Sequence, residues 1–267
     1  MNVRRVGVVA NPKVSEGYSE KLVEVLDAHG VEVERFTGPT GEVRPNGSVG
    51  DLDLVFVLGG DGTMLRASKM YPGRVLVGVN LGRVGFMSGM RPEEIESGVE
   101  KILDGGLHVQ EYRMLETRIS GEDEPLLAVN DAVLLKSKPH QIASVDVSIA
   151  GEDLVSYQCD GLVAATPLGS TAYALSAGGP LISGDVPCYV LVPIAPHSLI
   201  SRPLVLGEDQ VVELRVTERP SIVSVDGGDP VEVPEGGRVL LSLSEERVRI
   251  GRTDGWTWWR AVRRTFL

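Results

Sequence analysis

Gly59-Gly60-Asp61-Gly62-Thr63 sets one carboxylate among three glycines. Without a Cβ, glycine lets phosphate oxygens approach backbone N–H groups, and a helix N-terminus adds donors and positive potential. A carboxylate at that place can take a proton from an attacking hydroxyl or help hold a cation. The loop therefore offers two parts that phosphoryl transfer needs. The plainer reading is structural: Asp-Gly is a common turn dipeptide, and Asp61 or Thr63 can serve as a helix cap.

Three further segments carry candidate residues. In Asn80-Leu81-Gly82-Arg83-Val84-Gly85-Phe86, Asn80 can donate to a ligand and Phe86 can lie against a flat ring. The run lacks the spacing of a dinucleotide fingerprint, and the alternative is a turn with Phe86 in the core. Asn130-Asp131 interrupts the apolar run from Leu126 to Leu135. A buried polar pair is costly unless partnered; it marks either a turn or bulge, or an amide and a carboxylate for sugar hydroxyls. The segment from Asp160 to Pro180 runs from a strand into small hydroxylated residues. There Ser170 or Thr171 caps a helix, or the small residues beside Tyr173 wall a pocket for a flat polar ring. Ser170 lacks a Gly-x-Ser-x-Gly elbow. The four histidines, His29, His108, His140 and His197, show no pairing by spacing, so a serine hydrolase is disfavoured.

The elements around these residues fall into two patterns. Strand-like runs at 6–10, 31–36, 52–58 and 75–79 alternate with helical spacing at Tyr18, Leu22, Val25 and Leu26 and again after Gly62. Residues 37–50 read as a loop. This rhythm predicts an α/β domain with a mostly parallel sheet and ligand sites at the C-terminal strand ends, where Asn11 and the 59–62 loop lie. From about residue 107 short strand-like runs dominate: 116–119, 126–135, 144–150, 161–166, 189–193, 211–216, 222–225 and 239–244. They predict an antiparallel, sandwich-like second domain. The expected divisions are 1–106, 107–245 and a tail, 246–267, packing back on the first domain. Trp256, Trp258 and Trp259 read as packing residues there.

The bulk numbers narrow the partners. The 267 residues carry a formal charge of −11, with only six lysines. That disfavours nucleic acid and anionic membrane surfaces, so an anionic substrate needs local donors. No apolar run approaches the roughly 18 residues of a membrane span, and no signal-peptide pattern opens the chain. Cys159 and Cys188 lack metal-type spacing and suit a reducing cytoplasm as buried free thiols.

Taken together, these runs resemble the NAD kinase family. The resemblance rests on the loop at 59–63, the 80–86 run, Asn130-Asp131, the 160–180 segment, Pro196-His197-Ser198-Leu199 with Arg202-Pro203-Leu204, and Val225-Asp226-Gly227. The glycine loop alone is shared with diacylglycerol and sphingosine kinases and, loosely, with phosphofructokinases. The resemblance implies transfer of a phosphoryl group from ATP or polyphosphate to the 2′-hydroxyl of the adenosine ribose of NAD, with Mg²⁺ or another divalent cation, by a homodimer or homotetramer. Asp61 matches the catalytic aspartate, and Gly60, Gly62, Thr63 and Arg66 belong to the same loop and helix start. Asn130 and Asp131 match the ribose pair, with Asp where many members have Glu. Asp160 matches an acid that contacts a base, in many members from a neighbouring subunit. Thr171, Ala172, Tyr173 and Ser176 match the nicotinamide-side wall, while Asn80 and Phe86 complete the nucleotide set. Gln158 stands where many bacterial members carry Arg, and Gly228 where many have glutamine. Two rivals are a lipid or sphingoid kinase with the same loop and a non-catalytic NAD(P)-binding module.

Overall fold

The structure, a computed structural model, describes residues 3–15, 17–36, 51–82, 85–198 and 200–267. The expected loop at 37–50, and Arg83, Val84 and Leu199 of the quoted runs, lie outside the described residues. The chain forms two compact units, Met1–Glu111 with Val248–Leu267, and Tyr112–Arg247.

In chain order the elements are β1 (Arg5–Ala10), α1 (Tyr18–Ala28), β2 (Glu32–Phe36), β3 (Leu54–Gly59), α2 (Asp61–Met70), β4 (Val75–Asn80) and α3 (Ile95–Leu103). There follow β5 (His108–Ile119), β6 (Leu126–Ala128), β7 (Asp131–Lys136), β8 (Ala143–Ile149), β9 (Glu152–Cys159), β10 (Gly161–Ala165) and α4 (Tyr173–Ser176). The remainder is β11 (Cys188–Ile194), β12 (Leu204–Gly207), β13 (Val212–Val216), β14 (Ser221–Val225), β15 (Val231–Val233), β16 (Arg238–Arg252) and α5 (Trp258–Phe266). Strands β5 and β16 are each continuous through a unit boundary.

In the first unit, β2, β1, β3, β4 and the end of β16 lie side by side, all parallel. Strands buried on both faces read as unbroken apolar runs, as β3 does with all six residues buried. Val75, Val77 and Val79 of β4 join Leu22 and Leu26 of α1 and Ile95, Val99 and Ile102 of α3 in one core. The alternate β4 residue Gly78 faces α2: a Cβ there would stand 3.0 Å from Met64 Sδ and 2.8 Å from the Ser88 Cα. From β1 the chain turns outward to β2 and then back across to β3, so the switch in strand order opens at the C-terminal ends of β1 and β3.

The second unit is antiparallel. One sheet runs β12-β11-β10-β7-β14-β15; against it lies the set β9-β8-β13 with the first part of β16, and with β5 and β6. Leu115, Val145, Tyr157, Leu162, Tyr189, Val223 and Leu241 from both sheets share one buried core, which makes the unit a sandwich.

Several elements escape the sequence pattern: α3, β9, β12, β15 and α5. Strand β9 was not expected, because only Tyr157 and Cys159 of its eight residues are buried; an edge strand keeps little hydrophobic alternation. Helix α5 is also new: Trp258, Ala261 and Val262 give the i, i+3, i+4 stripe, and Thr257 Oγ1 accepts from the Arg260 N–H. The run 126–135 is two strands, parted at 129–130 as the turn reading of Asn130-Asp131 had it. Among the described residues no helix is long and apolar enough to cross a membrane.

Candidate functional site

Strand β3 ends at Gly59 and α2 begins at Asp61, so the glycine loop is the turn at a C-terminal strand end. Its glycines do different jobs. A Cβ on Gly59 would stand 2.3 Å from Thr63 Oγ1, so this position is glycine for packing. A Cβ on Gly60 or Gly62 would meet nothing within 4 Å, so these two leave open space before the first turn of α2, where helix N–H groups lack intrahelical partners.

Neither acidic nor hydroxyl side chain caps α2; the N-cap is Gly60, without a side-chain bond. The capping reading of Asp61 and Thr63 is thereby corrected. Asp61 turns instead to the 85–87 segment: Oδ2 accepts from the Phe86 N–H at 2.9 Å and Oδ1 from the Met87 N–H at 3.1 Å. Gly85 lies flat against the same carboxylate, where a Cβ would stand 2.1 Å from Oδ1. The segment holding Asp61 is itself tied down. Gly89 N–H and Met90 N–H bond the Gly78 carbonyl, and Asn80 N–H bonds the Met90 carbonyl. Buried Arg252 donates from Nη2 to the Phe86 carbonyl at 2.6 Å and from Nε to Gln110.

The other expected residues of this unit lie close by with different fates. Arg66 is exposed and its Nη2 is 3.5 Å from Thr63 Oγ1. Asn80 is half-buried at the end of β4, its Oδ1 accepting from the Gly82 N–H. Phe86 is buried, its ring packed on Trp258 at 5.1 Å and Phe266 at 5.7 Å between centroids. Its side chain is core, as the alternative reading had it, and its contribution to the loop is the backbone N–H. Trp256 lies beneath the Arg252 guanidinium at 3.3 Å, whereas Trp259 is exposed.

In the second unit Asp226 organises the Asn130-Asp131 corner. Its carboxylate accepts from the N–H groups of Val129, Asn130 and Asp131 at 2.8, 2.8 and 3.2 Å. Those donors are thus withdrawn from a strand ladder, which is why β6 and β7 part at 129–130. Asp226 has φ 49° and Gly227 φ 65°; Asp and Gly are residues that accept this left-handed bend. The Asn130 amide side chain makes no hydrogen bond among the described residues. Asp131 is buried, and its carboxyl is pushed up to about 7, first by burial and then by the charge of Asp226.

The segment after β10 sits on this corner. Thr166 N–H bonds the Asn130 carbonyl, and Thr166 Oγ1 donates to the Val129 carbonyl at 2.6 Å. A Cβ on Gly169 would stand 2.0 Å from the Asn130 carbonyl oxygen, so only glycine allows the contact. Ser170 Oγ is buried, donating to the Pro167 carbonyl and accepting from the Ile182 N–H. Among the described residues its hydrogen-bond partners are backbone groups, which tie the 167–170 turn to Ile182. Thr171 Oγ1 donates to the Leu168 carbonyl. Thr171 and Ala172 are half-buried, whereas Tyr173 and Ser176 are exposed.

Asp160 is not brought to that corner. Asp131 pairs with Ala165, at the far end of β10 from Asp160, and five residues of strand separate the two by roughly 16 Å. Asp160 instead pairs with Lys136 Nζ. Cys159 and Cys188 are buried free thiols, both raised by burial, Cys159 to about 11. Sequence reasoning missed Gly85, Asp226, Lys136 and Arg252 as site-building residues. Gly85 and Asp226 stood in quoted runs, but what they touch was not readable there.

The chain matches the ATP-NAD kinase N-terminal domain over residues 5–107 and the ATP-NAD kinase C-terminal domain over residues 129–253. An NAD kinase of Heliobacterium modesticaldum is 37% identical over 232 residues, 84% of this chain and 81% of that one. One from Chloroflexus aggregans is 36% identical over 253 residues, 91% of each. Among solved structures, an NAD kinase from Archaeoglobus fulgidus in complex with ATP superposes with a TM-score of 0.82 at 29% identity, covering 97% of this chain and 99% of that one. Yeast NADH kinase complexed with NADH shares the fold, with a TM-score of 0.86 at 24% identity over 98% of this chain and 87% of the yeast chain. These matches do not favour the lipid-kinase or non-catalytic readings. With a glycine-loop carboxylate held off its helix, and with both domain models matched, the chain belongs to the NAD kinase family.

Proposed function

We propose that Asp61 is the base that receives the ribose 2′-hydroxyl proton as this NAD kinase forms NADP. The observation that carries the reading is the grip of two backbone N–H groups on its carboxylate, which fixes the group while leaving it half-exposed beside the open space at Gly60 and Gly62. In the step, the bond from the transferred phosphorus to the donor's leaving oxygen breaks. A bond to the ribose oxygen forms, and the hydroxyl proton passes to Asp61. General-base help contributes about 10²–10⁴-fold; placement and charge neutralisation supply the rest.

Gly60, Gly62 and Thr63 open the α2 N-terminus to phosphate, with Arg66 and Asn80 at the margin. Asn130 offers a free amide, and Asp131 a carboxyl titrating near neutrality; each can donate and accept toward sugar hydroxyls. Thr171, Ala172, Tyr173 and Ser176 form the wall for the nicotinamide. Asp160, about a strand's length from Asp131, serves the base in a neighbouring copy, which makes the active assembly a homodimer or homotetramer. Among the described residues no three His, Cys, Asp or Glu side chains cluster as a metal cage. A divalent cation carried on the donor's phosphates would neutralise charge there. The buried thiols suit work in the cytoplasm.

The test is an enzyme-coupled assay for NADP formed from NAD, with ATP and polyphosphate as separate donors. Wild type should make NADP, and Asp61→Asn should lose about 10²-fold or more in kcat while NAD still binds. Full activity in that variant would remove Asp61 from the step.

A further inference from the structure

Beside the Asp61 grip, the first unit holds a cavity of about 610 Å³ whose near wall includes Asn80 and Gly85. This size is ordinary for a small-molecule site, typically about 300–1,000 Å³. Its charge is not ordinary for this chain. Lys101 of α3 and Arg260, Arg263 and Arg264 of α5 line it, together with Arg91. The acidic lining residues are Glu94 and Asp254. Glu94 accepts both Nε and Nη2 of Arg91, and Asp254 pairs with His108. Arg260 donates to the Gly255 carbonyl. Lys101 and Arg263 make no side-chain hydrogen bond or ion pair among the described residues. The buried Ser88 hydroxyl, on the same lining, likewise has no partner there.

Cations are favoured in the last turn of a helix, which accounts for the sign of Lys101, Arg263 and Arg264. It does not account for the ends of two helices opening on one cavity bordered by Gly85, the residue that lies against the Asp61 carboxylate. Helix α5 carries three arginines and no acid in a protein of net charge −11. A polyanion repelled by the rest of the surface finds local attraction here.

We propose that this cavity takes the trailing phosphates of the phosphoryl donor, a linear chain of phosphoanhydrides whose terminal group reaches Asp61. The inference rests on the NAD kinase reading. It adds the site at which the donor, whether a nucleoside triphosphate or free polyphosphate, is held by charge.

The experiment uses the full-length protein and a triple variant, Lys101→Ala, Arg263→Ala, Arg264→Ala, with Arg219→Ala as a surface control. Binding of inorganic tripolyphosphate is measured by titration calorimetry without NAD. The KM values for ATP, polyphosphate and NAD are measured in the coupled assay. The triple variant should bind tripolyphosphate at least tenfold more weakly and raise the KM of one or both donors by a similar factor, with the KM of NAD unchanged. A rise for both donors identifies the shared phosphate chain; a rise for polyphosphate alone identifies the free polymer as occupant. Unchanged tripolyphosphate binding and donor KM, or an equal loss in Arg219→Ala, overturns the cavity while leaving the kinase reading intact. A wild-type protein that makes no NADP from either donor overturns both.

Discussion

Replacing Gly85 by alanine tests the placement of Asp61 without touching Asp61 itself. The new methyl would stand 2.1 Å from Asp61 Oδ1, 2.6 Å from Cγ and 2.8 Å from Oδ2. Close carbon–oxygen contacts settle at about 3.3–3.6 Å, so the carboxylate must move by roughly 1 Å or more. The side chain is short and can swing, which keeps the fold but breaks its bonds from the Phe86 and Met87 N–H groups. Hydrogen bonds to a charged group are worth about 1.5–3 kcal/mol when buried. Asp61 is half-exposed and water will replace part of that, so a loss of about 1–3 kcal/mol is expected, or a few degrees in Tm. The catalytic cost should be larger, since a misplacement of about 1 Å can remove 10²-fold in rate. The assay is initial-rate NADP formation at saturating NAD and donor, with a melting curve on the same sample. The expected result is kcat down about 10²-fold with a modestly lowered Tm. Combined with Asp61→Asn, the two losses should be far from additive, because both remove the same positioned group. A Gly85→Ala protein with wild-type kcat would show that the carboxylate's position is not what catalysis uses.

Four other outcomes follow from the same geometry. Asp131, titrating near 7 when folded and near 4 when unfolded, makes the folded state bind more protons between those values; stability should therefore fall by up to a few kcal/mol as pH rises through that window, and denaturant melts of Asp131→Asn should lack that fall. Asp131→Ala should raise the KM for NAD, and an unchanged KM would remove it from the ribose site. Asp226→Ala strands the N–H groups of Val129, Asn130 and Asp131 and should cost roughly 3–5 kcal/mol in urea unfolding, with Asp226→Asn recovering part of it. Ser170→Ala should destabilise by about 1–3 kcal/mol through the loss of the Ile182 bond while kcat stays within about twofold; a collapse of kcat would reopen a nucleophilic role.

Local pattern alone determined that this chain begins as alternating strands and helices and turns to β-structure from about residue 107. Apolar runs such as 54–59 have one way to bury both faces, and Gly60-Asp61-Gly62 marks the strand-to-helix turn by residue type. The same pattern named Asp61, Asn130 and Asp131, because a carboxylate among glycines and a polar pair inside an apolar run conflict with their surroundings unless they serve something. It could not choose between a cap and a catalytic base, since both are Asp at a helix start; the N–H groups of Phe86 and Met87, 25 and 26 residues away, take the carboxylate and remove the cap reading. Nor could it say that Phe86 is core, that Asp226 bends the chain at 129–131, or that α3 and α5 turn their basic ends to one cavity. Those facts depend on contacts between segments as far apart as Phe86 and Phe266, and residue type and spacing do not encode what a folded chain places next to what.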